Sequence, residues 1–441
     1  MKNTPEKTLA GKKYLFATIA ADGHFNPLTG LAKYLLESGC EVRWYTSSIY
    51  QERLDKMGIP LYPFLKAPEV NHTNLDDVMP ERRTITDAGE KANLDLLNVF
   101  IKPGPTNFSD IVDIMKDFPF DALIVDNMFP GTPYASAKLN VPVVAIGIIP
   151  LPERSEDLGP YGPGFYPPET LEERIKIKEI KAEFDNSVYK EGTDYISKLL
   201  TEHSIDHEKT DVFDILTKAP DVYLQIGSPS FEYQRSDLGK NIRFIGALLP
   251  HSGDLPGSER INDRIKKFKR IIIVTQGTVE KDITKLVEPT LEAFKDTDVL
   301  VIATTSGNQT DRLREKYPYD NVIIENFIPY SQIMPYASVF ITNGGYGGVL
   351  FSIMNELAMV TAGLFEGKAE VCARVGHLEY GIDLKTERPS IDQIKKAVHS
   401  IFENPAYTNN VISLGQEMRY YDTKEIFLKV LLDAKKKSDT N

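Results

Sequence analysis

Twice along this chain a short, uninterrupted apolar run is followed by a turn, an amphipathic helix and another apolar run. Such runs are strands covered on both faces, and parallel strands need a helical crossover, so the pattern predicts an α/β protein with parallel sheets. The first series opens at Tyr14 to Ala20 and turns at Ala21-Asp22-Gly23-His24. It enters a helix over Pro27 to Ser38 that lines up Leu28, Leu31, Leu35 and Leu36. Gly39 ends that helix and Glu41 to Thr46 is the next strand. Strands at Asp121 to Asp126 and Val141 to Ile146 flank a helix at Thr132 to Leu139, and Val222 to Gln225 and Arg243 to Ile245 close the series. The Pro-, Gly- and Ser-rich stretch Pro250 to Asp263 predicts a linker. The pattern then restarts with strands at Arg270 to Thr275, Val299 to Thr304, Val322 to Glu325, Val339 to Thr342 and Met359 to Ala362, and helices at Ile283 to Phe294 and Gly347 to Leu357. At 441 residues the chain is too long for one core. Two Rossmann-like domains follow, 1–248 and 264–418, joined by a linker at 249–263.

The net charge of −12 disfavours phosphate backbones and anionic lipid, so neither nucleic acid nor a membrane is an expected partner. Two distant cysteines, Cys40 and Cys372, form no disulfide framework and no metal cluster, and suit buried thiols in a reducing cytoplasm. The apolar run after Lys12-Lys13 is too short for a membrane span and is better explained as a first strand. Two long irregular regions, Leu65 to Pro105 and Pro150 to Thr210, are expected to be lids or binding walls.

Ligands in open α/β sheets bind beyond the C-terminal strand ends, so the residues there are the candidates. His24 follows the first strand, where an imidazole can take a proton from a hydroxyl or simply cap the helix. Asp126 ends another strand at the same edge, where it can hold an imidazole or serve as a loop acid. In the second half, Gln276-Gly277-Thr278 and Asn343-Gly344-Gly345-Tyr346-Gly347-Gly348 both follow strands. Glycines there let a ligand approach the backbone, and the helix N-terminus after them offers N–H groups to a diphosphate. The phosphate loop thus comes late. A dinucleotide dehydrogenase places Gly-x-Gly-x-x-Gly after its first strand, and a P-loop needs Gly-Lys-Ser/Thr, neither of which is present.

Several ordered motifs resemble the family 1 glycosyltransferases of GT-B fold, in particular their bacterial branch acting on macrolides, flavonoids and terpenoids. They are Gly23-His24-Phe25-Asn26-Pro27-Leu28, Val125-Asp126, Thr275-Gln276-Gly277-Thr278, Asn326-Phe327-Ile328-Pro329 and Ile341-Thr342-Asn343-Gly344-Gly345-Tyr346. The resemblance implies two sheets facing a central cleft, with the last helix, inside 419–441, returning to the first domain. It implies an inverting transferase that moves a hexose, glucose first, from a UDP-sugar to a hydroxyl of a small apolar acceptor, as a monomer or weak dimer. His24 is then the base and Asp126 its support. The UDP-sugar is a co-substrate, and no metal or other cofactor is called for. The diphosphate is expected at Gly277, Thr278, Asn343, Gly344, Gly345, Gly347 and Gly348, and uracil near Phe327 and Ile328.

The donor motif departs from the family pattern. Asn343 stands where a histidine is usual, and Phe351 stands where a ribose-binding Glu is usual, with Ser352 expected to take over. Gly367-Lys368 replace the sugar-reading Asp-Gln, with Glu366, Lys368 and Glu370 as substitutes. Phe25, Phe100, Met128, Phe129 and Phe165 are expected to line the acceptor side, beside Leu65, Phe108 and Tyr166. An epimerase of the same fold and a binding protein with a decayed donor site are the alternatives, and Asn343 and Phe351 favour the latter.

Overall fold

The computed structural model describes residues 9–85, 88–248, 263–277, 280–365 and 367–434. Most of the expected linker, and the site candidates Thr278 and Glu366, lie outside the described residues. The first sheet contains β1 (Lys13–Ala17), β2 (Glu41–Thr46), β3 (Leu61–Pro63), β4 (Ala122–Asp126), β5 (Val143–Gly147), β6 (Val222–Gln225) and β7 (Ile242–Phe244). Their order is β3-β2-β1-β4-β5-β6-β7, with every pairing parallel. The second contains β8 (Arg270–Thr275), β9 (Val299–Thr304), β10 (Val322–Glu325), β11 (Val339–Thr342), β12 (Met359–Thr361) and β13 (Gly381–Asp383). Its order is β10-β9-β8-β11-β12-β13, again all parallel.

Both sheets reverse direction once. In the first the chain winds outward from β1 through β3, then restarts at β4 on the other side of β1. In the second the restart is at β11, on the other side of β8. At such a switch point the two outgoing loops diverge and leave a crevice. The loops after β1 and β4 therefore face one crevice, and those after β8 and β11 face another. β4, β5 and β9 are buried at every position, which is why they were continuous apolar runs in the sequence.

Helix α1 spans Asp22–Glu37 and packs Phe25, Leu28, Leu31, Ala32 and Leu35 inward. It starts five residues before the expected Pro27, so the predicted turn is its first turn. Pro27 inside the helix lacks an N–H and so cannot donate to the Gly23 carbonyl four residues back. The two irregular regions are corrected more strongly. They hold the helices Ala88–Asp95, Leu171–Asn186 and Lys190–Glu202, and α2 (Gly104–Asp117) starts as the first region ends. Helix Leu171–Asn186 buries only Ile177 and Lys181, so it offered no apolar stripe to read, although Thr170 and Glu173 form a capping box at its start.

One core cluster runs through both halves, joining Leu224, Ile226 and Phe231 to Tyr346, Leu350, Met418 and Phe427. The last helix (Thr423–Asp433) begins where the Thr423 hydroxyl donates to the Ile245 carbonyl of the first half at 2.6 Å. Among the described residues no helix is long and apolar enough to cross a membrane. Both cysteines are free and buried.

Candidate active site

At the first switch point, His24 in the opening turn of α1 meets Asp126 at the end of β4. Their Nδ1···Oδ1 distance is 2.8 Å. The carboxylate is fully buried, while the imidazole keeps 15% of its side-chain surface exposed. Asp126 also accepts from the Ile19 N–H through Oδ2 and from the Met128 N–H through Oδ1, both at 2.9 Å. A carboxylate among three donors is fixed as an acceptor, so the Nδ1 of His24 carries the proton and Nε2 presents its lone pair. The Phe100 ring lies 6.3 Å from the imidazole, centroid to centroid. Nearby, the buried Asp110 of α2 gathers the backbone N–H groups of Leu65, Lys66 and Ala67 and the Tyr45 hydroxyl, which fixes the loop beyond β3.

At the second switch point the same job is done without charge. The Asn343 side-chain amide, after β11, donates to the Gln276 carbonyl after β8 at 2.5 Å. One of the two N–H groups of this amide is thus spent on stapling the two loops together. Gly344 sits at φ +83 with its Cα facing Cys372, where a Cβ would be 2.4 Å from Sγ, so only glycine fits. Gly345 caps helix α3 (Tyr346–Met354), and a Cβ on Gly347 would meet nothing within 4 Å, so the backbone at this helix start is uncrowded. Gly348 faces the Phe340 ring. Gly277, at φ +73, accepts from the Ser306 hydroxyl through its carbonyl. Phe327 is 62% exposed beyond β10. Among the described residues no three His, Cys, Asp or Glu side chains are grouped to hold a metal ion.

The family profile described as "UDP-glucoronosyl and UDP-glucosyl transferase" matches residues 110–420. The chain is 30% identical over 409 residues to 4'-demethylrebeccamycin synthase of Lentzea aerocolonigenes, covering 92% of this chain and 96% of that protein. The chain is a UDP-glycosyltransferase of this family. It is also similar to UDP-glucosyltransferase 1 of Beauveria bassiana (strain ARSEF 2860), 29% identical over 437 residues and 92% of each chain. Among solved structures, the glycotransferase of kitacinnamycin superposes with a TM-score of 0.70 at 16% identity, over 96% of this chain and 98% of that one. CalG4, the calicheamicin glycosyltransferase, gives 0.69 at 17%, over 96% and 98%. At such identities the likeness speaks for the fold, which is GT-B.

Several residues expected to line the transferase's sites are placed elsewhere. Phe25 stacks on Tyr50 and lies tilted against Trp44, with centroids 4.0 and 4.6 Å away, and is core. Phe129 is buried against Tyr45, and Met128 is buried in a cluster with Leu97, Ile101 and Tyr134. Ile328 is buried in the main core, so its side chain cannot meet a base. Ser352 is fully buried and donates to the Leu357 carbonyl at 2.9 Å, which removes it as a ribose ligand. Lys368 begins helix α4 (Lys368–His377) beside the donor loops. Glu370 does not read the sugar: it accepts from the Gly162 and Gly164 N–H groups and from Arg374. Arg374 in turn grips Glu232 of the first half, a buried ion triad that sequence reading missed.

Phe165 packs near Phe184 and lines a cavity of about 40 Å³ with Tyr161, Tyr189, Asp211 and Arg235. Burial pushes the Asp211 carboxyl from its ordinary 3.8 up to about 6. The stability it contributes is present in full below the unfolded value and is lost as the pH rises through the folded one. Asp211 also caps the helix Val212–Lys218, a role asparagine keeps. Asp211→Asn is therefore expected to unfold at a higher temperature than wild type above about pH 7 and at the same temperature below about pH 4. Equal melts across the range would refute this.

Proposed function

We propose that the transferase moves glucose from UDP-glucose to a hydroxyl of a small apolar acceptor, with inversion at the anomeric carbon. The His24–Asp126 pair carries this reading, because it is an imidazole held through Nδ1 by a buried carboxylate and still partly exposed. The acceptor oxygen gives its proton to Nε2 and forms the bond to C1 while the bond from C1 to the UDP oxygen breaks. Asp126 then settles the imidazolium. The electron pair leaves with UDP, where the N–H groups of Gly345 and Gly347 and the positive end of α3 meet the new charge. That arrangement needs no metal ion. The relative named a UDP-glucosyltransferase supports the choice of glucose.

Mass spectrometry of an acceptor panel crossed with several nucleotide sugars tests the reaction, and calorimetric titration with UDP and TDP tests the donor site. Failure of both nucleotides to bind at millimolar concentration would sink the donor assignment and favour a binding protein. Asn343→Ala removes the staple between the two donor loops. A hydrogen bond of this kind contributes ~0.5–1.5 kcal/mol, so UDP binding is expected to weaken by up to about tenfold. Unchanged affinity would show that the loops hold their shape without it.

A further inference from the structure

We propose that Tyr346 is a positioning residue whose hydroxyl holds the diphosphate loops at a fixed distance from His24. Tyr346 is the first residue of α3, between the two glycines that the proposed function gives to the donor. Its side chain leaves its own domain. The hydroxyl donates to the Ile226 carbonyl at 2.8 Å and accepts from Nε2 of Gln225 at 3.4 Å. Burial pushes the phenol far above its ordinary value, so the hydroxyl stays protonated and donates. The ring lies on Phe231, centroids 5.8 Å apart, and is 7% exposed.

The receiving residues continue the first sheet. Gln225 ends β6 and is fully buried, and its amide also donates to the Ile149 carbonyl beyond β5 at 2.9 Å. In the strand register, Gln225 pairs with Gly147, and Ile146 pairs with Asp126. Two strand pairings therefore connect the Tyr346 contact to the carboxylate that holds the base. Gly227 lies opposite at φ +96, where a Cβ would stand 3.0 Å from the Tyr346 oxygen. The close approach thus depends on glycine on one side and on a phenol on the other.

Other bonds dock the second half on the same short segment. The Tyr380 hydroxyl donates to the Ser230 carbonyl at 2.7 Å, and Arg374 binds Glu232. Tyr346 differs from these because it sits inside the donor loop itself. A shift of about 1 Å in the reacting groups can cost on the order of 10²-fold in rate. The hydroxyl's effect should therefore fall on turnover and not on affinity.

The proposal depends on the donor and base assignments above, and the test separates them. Tyr346→Phe keeps the ring on Phe231 and removes the two hydrogen bonds. Transfer kcat is expected to fall about ten- to hundredfold, with the Kd for UDP changed less than about twofold. In a His24→Ala background the same change should cost less than about threefold, because the base it serves is gone. Undiminished kcat, a Kd weakened as much as kcat falls, or a full multiplicative loss in the His24→Ala background would each overturn the proposal. Wild-type protein that binds no UDP would overturn the donor assignment and this proposal with it. Normal UDP binding with normal turnover in the variant overturns this proposal alone.

Discussion

Replacing His24 by alanine is expected to lower acceptor-dependent turnover by ~10²–10⁴-fold, the usual worth of a positioned base. UDP binding should stay within about twofold of wild type, because the donor loops belong to the other sheet. Near-normal transfer to a hydroxyl acceptor would remove His24 from the mechanism. Asp126→Asn tests the support. Three donors converge on this carboxylate: the imidazole, the Ile19 N–H and the Met128 N–H. An asparagine amide turns an N–H₂ group toward at least one of them, so the ring loses its fixed orientation as well as its counter-charge. A variant with wild-type kcat would show that Asp126 serves the loop and not the base.

Arg374→Met is expected to destabilise the protein by about 3–5 kcal/mol, the largest stability effect here. The guanidinium is buried, with Nε and Nη2 on Glu232 and Nη1 on Glu370, each at 2.8 Å. Removing it strands two carboxylates away from water. The two halves should also loosen, since Glu232 belongs to one and Glu370 to the other. Thermal unfolding would show a midpoint lower by about 10 °C. Adding Glu232→Gln and Glu370→Gln should restore part of the loss, because no buried charge is then left unpaired. A midpoint within about 2 °C of wild type for Arg374→Met would contradict this account.

The sheets were legible because parallel strands covered on both faces are apolar along their length, as in β4 up to its final Asp126 and in β9 up to its final Thr304. The strands Leu61–Pro63 and Gly381–Asp383 were not, since the first ends in proline and the second carries a single apolar side chain, Ile382. His24 and Asp126 were legible as residues beyond strand ends, but their contact spans 102 positions, and only the strand order brings them together. The aromatic residues failed for a different reason. Phe25 and Phe129 follow strands and would suit a ligand wall as well as a core, and side-chain direction, which decides between them, is not a property of sequence position. Glu370 and Arg374 are four apart on one helix and could be paired by eye, but Glu232, 142 residues from Arg374, could not.

The reversal of each sheet is bridged by one polar side chain, an anion under the imidazole and a neutral amide under the donor loops. The difference matches what each ligand end brings. A carboxylate at Asn343 would face a departing diphosphate with its own negative charge, and an amide at Asp126 would leave the imidazolium without a counter-ion. Under the proposed function, attack and departure fall on separate lengths of polypeptide, each with its own sheet and its own bridge. Recombination within 249–262 would exchange donor choice without touching acceptor choice, so long as the incoming half still finds Ile226, Ser230 and Glu232 on the surface it must dock against.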